Sequence, residues 1–105
     1  MIKNNVFAAI GDPNRRKILL LLSSGTLTIN SLAGKFTISR PAVSKHLKML
    51  EAARLISITD KGRERLCALD KDGFLEIKNW LTFYEQFWNS KLHKLGNLLD
   101  SRTKK

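Results

Sequence analysis

Apolar positions along the chain follow two rhythms, and the change between them sets the expected architecture. In "ISRPAVSKHLKML", residues 38–50, Val43, Leu47 and Leu50 stand at i, i+4 and i+7 and form one narrow apolar helical stripe. Pro41 has no N–H to lose and its φ is already near the helical value, so with Ser39 as cap it marks a first turn. Pro41, Ser44, Lys45 and Lys48 fall on the other side. Upstream, "NNVFAAIG" predicts a short apolar helix ended by Gly11. Asp12 and Pro13 then pair an N-cap with a first-turn proline for a second helix, "PNRRKILLLLSS", ended at Gly25. Thr28 caps a third, "INSLAGKF", in which Leu32 and Phe36 keep helical spacing, and "TIS" is a tight connection.

Two short helices joined by a turn, the second opening with polar and basic groups, predict a helix-turn-helix over about residues 28–52. After Leu55 the period becomes two: "LISIT" alternates, "DKGRE" turns on Gly62, and "RLCAL" is strand-like. This predicts a basic β-hairpin wing over about residues 55–69. From about Asp72 to Leu99 helical spacing returns, with Ile77, Leu81, Tyr84, Trp88, Leu92, Leu95 and Leu99 in one row and Trp80, Phe83 and Phe87 in a second beside it. One row packs on the domain's own core, and the other calls for a second copy of the chain. The fold class expected is therefore mainly α with a small β-hairpin, a single winged helix-turn-helix domain over 1–105 with a long C-terminal dimerisation helix.

Charge narrows the partner. The 105 residues carry 19 Lys and Arg against 9 Asp and Glu, a net charge of +10, which points to a polyanion: nucleic acid or an anionic membrane surface. No apolar stretch approaches the length of a membrane span and the amino terminus lacks a signal-peptide layout, so a soluble, cytoplasmic protein without membrane insertion is expected. Cys67, the lone cysteine, excludes an intrachain disulfide, cannot by itself build a cysteine metal cluster, and reads as a small apolar filler. The chain has no Gly-rich phosphate loop, no Gly-x-Ser-x-Gly elbow and no His-Glu-x-x-His, so no catalytic residues and no enzyme activity are expected.

The segments "FAAIGDPNRRKILLLL" and "SLAGKFTISRPAVSKHLKMLEAARLI", followed by the Gly-tipped "GRERLCAL", strongly resemble the ArsR/SmtB family of bacterial winged-helix repressors across nearly the whole chain. The resemblance implies a dimer joined through first and last helices, which adds Val6 and Phe7 to Ile77, Trp80, Leu81, Tyr84, Phe87, Trp88, Leu92 and Leu95 as interface residues. It also implies that the helix matching Ser39 to Ala52 enters the major groove and that promoter occupancy represses transcription. Metal-sensing members place a Cys-x-Cys type pair on the helix matching "SLAGKF", or Asp/His and His/Glu ligands on the last helix. Here Ser31 to Phe36 offer no thiolate or imidazole and the last helix has one histidine, His93, whereas a soft ion needs several converging N or S ligands. Neither metal nor cofactor is expected. The closing segment "WLTFYEQFWNSKLHKL" resembles the metal-free branch that includes autorepressors, which implies a protein partner or small ligand as the release signal.

Base-edge contacts are expected from Arg40, Ser44 and Lys45, with Pro41 against a thymine methyl. Lys35, Thr37, Ser39, His46 and Lys48 are the candidate phosphate contacts, His46 having a partly buried structural role as its alternative. Lys61, Gly62, Arg63 and Arg65 form a wing that reaches the flanking minor groove or its backbone. Arg15 and Arg16, at the unfavourable end of a helix dipole for cations, are expected to be held by acidic partners or to lie near DNA. The competing use of such a module is protein or RNA binding. RNA readers stack bases on aromatics of the binding face, whereas these aromatics lie in apolar rows or by the first helix, which favours duplex DNA.

Overall fold

Side-chain caps start the four short helices of a computed structural model, which describes the backbone of residues 5–103 and the side chains of that range apart from 89, 90, 92, 93 and 95–103. Asn5 Oδ1 accepts from the amides of Phe7 and Ala8 at 3.0 and 3.1 Å to open α1, Val6–Ala9. Asp12 Oδ2 accepts from the Arg15 amide at 3.1 Å, with Pro13 in the first turn, to open α2, Pro13–Leu22. A two-residue strand β1, Leu27–Thr28, runs straight into α3, Ile29–Ala33, through the Thr28 hydroxyl on the Ser31 amide. Ser39 accepts from the Ala42 amide and opens α4, Arg40–Ala52, with Pro41 in its first turn. Each cap removes one orphan N–H that a helix start would otherwise leave unpaired.

α3 stops at Ala33, short of the expected Phe36, because Gly34 caps it and the next amides turn back onto Leu32 and Ala33 carbonyls. Phe36 still packs on the core, with the Lys17 ammonium 4.8 Å from its ring centroid. The wing consists of β2, Ile56–Lys61, and β3, Glu64–Leu69, paired antiparallel from Ile56 opposite Leu69 to Lys61 opposite Glu64. Gly62 opens its two-residue turn at φ +64° while Arg63 keeps a negative φ, as a type II′ hairpin requires. The sequence pattern gives only this hairpin. The observed sheet has three strands, order β1-β3-β2, because Leu27 and Thr28 pair with Cys67 and Leu66, a strand too short to show a period.

The core is formed where α1, α2, α3, α4 and the sheet meet: Val6, Ile18, Leu22, Leu32, Leu55 and Ile56 close over the predicted stripe Val43, Leu47 and Leu50. Cys67 is fully buried there, and that burial pushes its thiol pKa up, away from the reactive thiolate. α4 ends in a Schellman turn, with Leu55 N–H on Leu50 O and Arg54 N–H on Glu51 O, and Arg54 takes the left-handed position at φ +62°. The last helix, α5, spans Lys71–Thr103. Its beginning is pinned to the domain: Gly73 is buried, Phe74 and Ile77 pack on the core, and the large apolar side chains from Trp80 to Trp88 turn outward. Among the described residues, no helix is long and apolar enough to cross a membrane.

Candidate nucleic-acid interface

The polar side of α4 carries Arg40, Pro41, Lys45 and Lys48 exposed to solvent, with Ser44 half-buried between them and the wing. An open groove of about 290 Å³ runs from the first turns of α3 and α4 to the wing, lined by Asn30, Arg40, Ser44, Arg63, Glu64 and Arg65 among others. Three arginines and one acidic residue, Glu64, therefore line one hollow. Arg40 donates to Asn30 Oδ1 of α3, which fixes its fork at the mouth of this groove. Asn30 escapes a reading of the sequence, since nothing in its spacing signals a partner ten residues ahead.

The wing continues the same charge. Lys61, Gly62 and Arg63 form its exposed tip, and Arg65 pairs directly across the strands with Asp60, Nε to Oδ1 3.0 Å. Both groups are solvent-exposed, so the pair adds little stability. Its effect is orientation, because it holds the Arg65 guanidinium at the strand stem while Arg63 extends from the tip. Lys35, Thr37 and Ser39 are exposed around the turn between α3 and α4. The Ser39 hydroxyl is engaged by the Ala42 amide, so its capping role is present in the protein alone.

His46 departs from the phosphate contact expected of it. Its side chain is only 18% exposed and turns toward α2, where Nδ1 lies 3.2 Å from Arg15 Nη1 and 3.9 Å from Asp12 Oδ2. Arginine has no acceptor, so in this contact Nη1 donates and Nδ1 is the acceptor. The physical reason is helical phase: His46 follows Lys45 by one residue and so lies beside the apolar stripe, against the packed helices. Arg15 and Arg16 are held by backbone carbonyls rather than by the acidic partners that one expectation named. Arg15 Nε donates to Ala9 O at 2.7 Å and Nη2 to Ala8 O at 3.2 Å, while Arg16 Nη1 donates to Ile10 O at 2.8 Å. Both guanidiniums thus satisfy the bare carbonyl end of α1.

Of the expected interface residues, Val6 is corrected: it is fully buried in the protomer's own core and has no surface to give a partner. Ile77 is half-buried against that core. Phe7, Trp80, Leu81, Tyr84, Phe87 and Trp88 remain exposed. Phe7, Trp80, Tyr84 and Phe83 touch edge-to-face in sequence, with centroids 5.2, 5.1 and 4.9 Å apart. The side chains of Leu92, His93 and Leu95 lie outside the described residues. Among the described residues, no three His, Cys, Asp or Glu side chains are grouped so as to hold a metal ion.

Residues 12–57 match the family model described as bacterial regulatory protein, arsR family. Transcriptional repressor SdpR of Bacillus subtilis (strain 168) is 44% identical over 78 residues, which cover 74% of this chain and 87% of that protein. The HTH-type transcriptional regulator Rv2034 of Mycobacterium tuberculosis is 36% identical over 98 residues, covering 93% of this chain and 89% of the relative. Among solved structures, the ArsR family transcriptional regulator RHA00566 superposes with a TM-score of 0.75 at 37% identity, covering 83% of this chain and 90% of that one.

Proposed function

The chain belongs to the ArsR family of bacterial transcriptional regulators, and from that premise we propose that it is a repressor that reads an inverted repeat in duplex DNA as a homodimer. The observation that carries this reading is the groove in which Arg40 of α4 and Arg63 and Arg65 of the wing converge. α4 is the helix whose exposed face suits the major groove: Arg40 and Lys45 donate to guanine O6 and N7, and Ser44 donates or accepts beside them. Lys35, Thr37, Ser39 and Lys48 position the protein on phosphates, and Lys61 and Arg63 extend to the neighbouring minor groove.

Dimerisation is supported by α5. Past Ile77 this helix exposes Trp80, Leu81, Phe83, Phe87 and Trp88, each at least half exposed, a contiguous apolar face that a single copy leaves in water. A second copy across a two-fold axis covers it, and sets two α4 helices about one turn of B-DNA apart, roughly 34 Å. The absence of thiolate or imidazole on residues 31–36 supports release by a protein partner or small ligand rather than by a metal ion. Such a regulator works in the cytoplasm.

The test is binding of the purified protein to the DNA upstream of its own gene and to a scrambled duplex, each at two salt concentrations. Footprinted, sequence-dependent binding that weakens steeply with salt is the expected result. Equal, weak binding to both duplexes would mean that the charge gives only nonspecific attraction.

A further inference from the structure

We propose that Arg15 is a positioning residue for DNA reading, a tie that sets the recognition helix against α1 through His46. The proposal rests on the reading of α4 as the DNA-contacting helix. One guanidinium reaches both sides of the joint. On the α1 side, Nε and Nη2 take the carbonyls of Ala9 and Ala8 at 2.7 and 3.2 Å. On the α4 side, Nη1 meets His46 Nδ1 at 3.2 Å and Met49 Sδ at 3.3 Å.

Three features make this more than a surface contact. The Arg15 backbone amide is itself the donor to the Asp12 cap, so the side chain is anchored at its root by the same turn that starts α2. The fork geometry of a guanidinium lets one group serve acceptors on two helices at fixed directions, which a lysine ammonium cannot reproduce. The α4 acceptors also sit on the same helix as the base-reading side chains. His46 directly follows Lys45, and Met49 lies one turn beyond it, so a shift of the tie moves Lys45 and Ser44 with it.

The experiment selects a duplex from a random pool with the wild-type protein, then measures its affinity against a scrambled duplex for wild type, Arg15→Lys, His46→Leu and the double variant. Variants are compared where circular dichroism shows the wild-type helix content, and His46→Leu, which keeps an apolar body in the half-buried position, carries the test if Arg15→Lys does not fold. The expected result is a specific-to-scrambled ratio lowered about tenfold in each single variant, with no further loss in the double. A folded variant with an unchanged ratio, or a double variant that loses as much again as either single one, overturns the tie. A wild-type protein that selects no sequence overturns instead the DNA reading beneath it.

Discussion

The amide of Gly73 donates to the carbonyl of Arg54 across 2.7 Å, so the first turn of α5 rests on the backbone turn that ends α4. The approach leaves no room for a side chain: a Cβ on Gly73 would lie 2.6 Å from Arg54 O and 2.7 Å from Ala53 O, both backbone atoms. α4 and the helix bearing the exposed aromatic face thus meet main chain to main chain. In a dimer built on α5, this joint sets the angle at which each α4 is presented.

Gly73→Ala is therefore expected to cost about 1–3 kcal/mol, since backbone cannot swing aside as the end of a side chain can. A urea titration followed by circular dichroism measures the loss. If the variant unfolds at the wild-type midpoint, the contact is slack and α5 is not pinned there.

Arg54 offers the opposite change. It holds the left-handed position of the Schellman turn at φ +62°, a conformation costly for a residue with a Cβ and free for glycine. Arg54→Gly is expected to stabilise the domain by about 1 kcal/mol, read as a raised urea midpoint with an unchanged slope.

Much of this arrangement was legible in the residues because local chemistry decides it. Asp12–Pro13, Thr28 and Ser39–Pro41 announce helix starts by what their side chains and rings do to a first turn, and all three starts occur where those signals stand. Gly62 announces the wing turn for the same reason. What escaped the sequence depends on contacts far apart along the chain. β1 exists only because β3 lies beside it, His46 finds its partner only because Arg15 arrives from α2, and Gly73 matters only where Arg54 meets it. A helical wheel separates exposed from buried faces, but it does not say which neighbouring helix receives a half-buried residue.

Acid should loosen the joint between α1 and α2. The Asp12 carboxyl is held below its ordinary range, chiefly by the Arg15 backbone N–H it accepts, which outweighs the opposing effect of desolvation, with the Arg15 charge adding to it. A carboxyl depressed in the folded state stabilises the fold fully above its unfolded pKa, and that contribution is lost as pH falls through the folded value. Asp12→Asn keeps a capping oxygen without the charge. It is expected to flatten the acid limb of stability against pH, measured as the urea midpoint from neutral pH downward.

Trp88 tests the aromatic face. It is 56% exposed in the protomer and lies outside the domain core, so Trp88→Glu has no folding contact of its own to break there. A carboxylate carried into an apolar seam must give up its water without gaining a partner, which disfavours association strongly. Sedimentation is expected to show dimers for the wild type and monomers for Trp88→Glu at the same concentration. Dimers in both would move the interface off this face.

Lys45 and Lys61 distinguish the two kinds of contact that a winged helix makes. Both are exposed cations, yet Lys45 lies on the outward face of α4 near its start and Lys61 at the hairpin tip. A lysine that reads a base edge contributes to one sequence and not another. Lys45→Ala is therefore expected to cost about 1–3 kcal/mol on the selected duplex and much less on a scrambled one, relaxing preference at one position of each half-site. A lysine on a phosphate contributes to every sequence alike, so Lys61→Ala should weaken both duplexes equally and reduce the salt slope by about one. If the two variants behave alike, α4 and the wing both serve only as positive charge, and sequence is read elsewhere on the molecule.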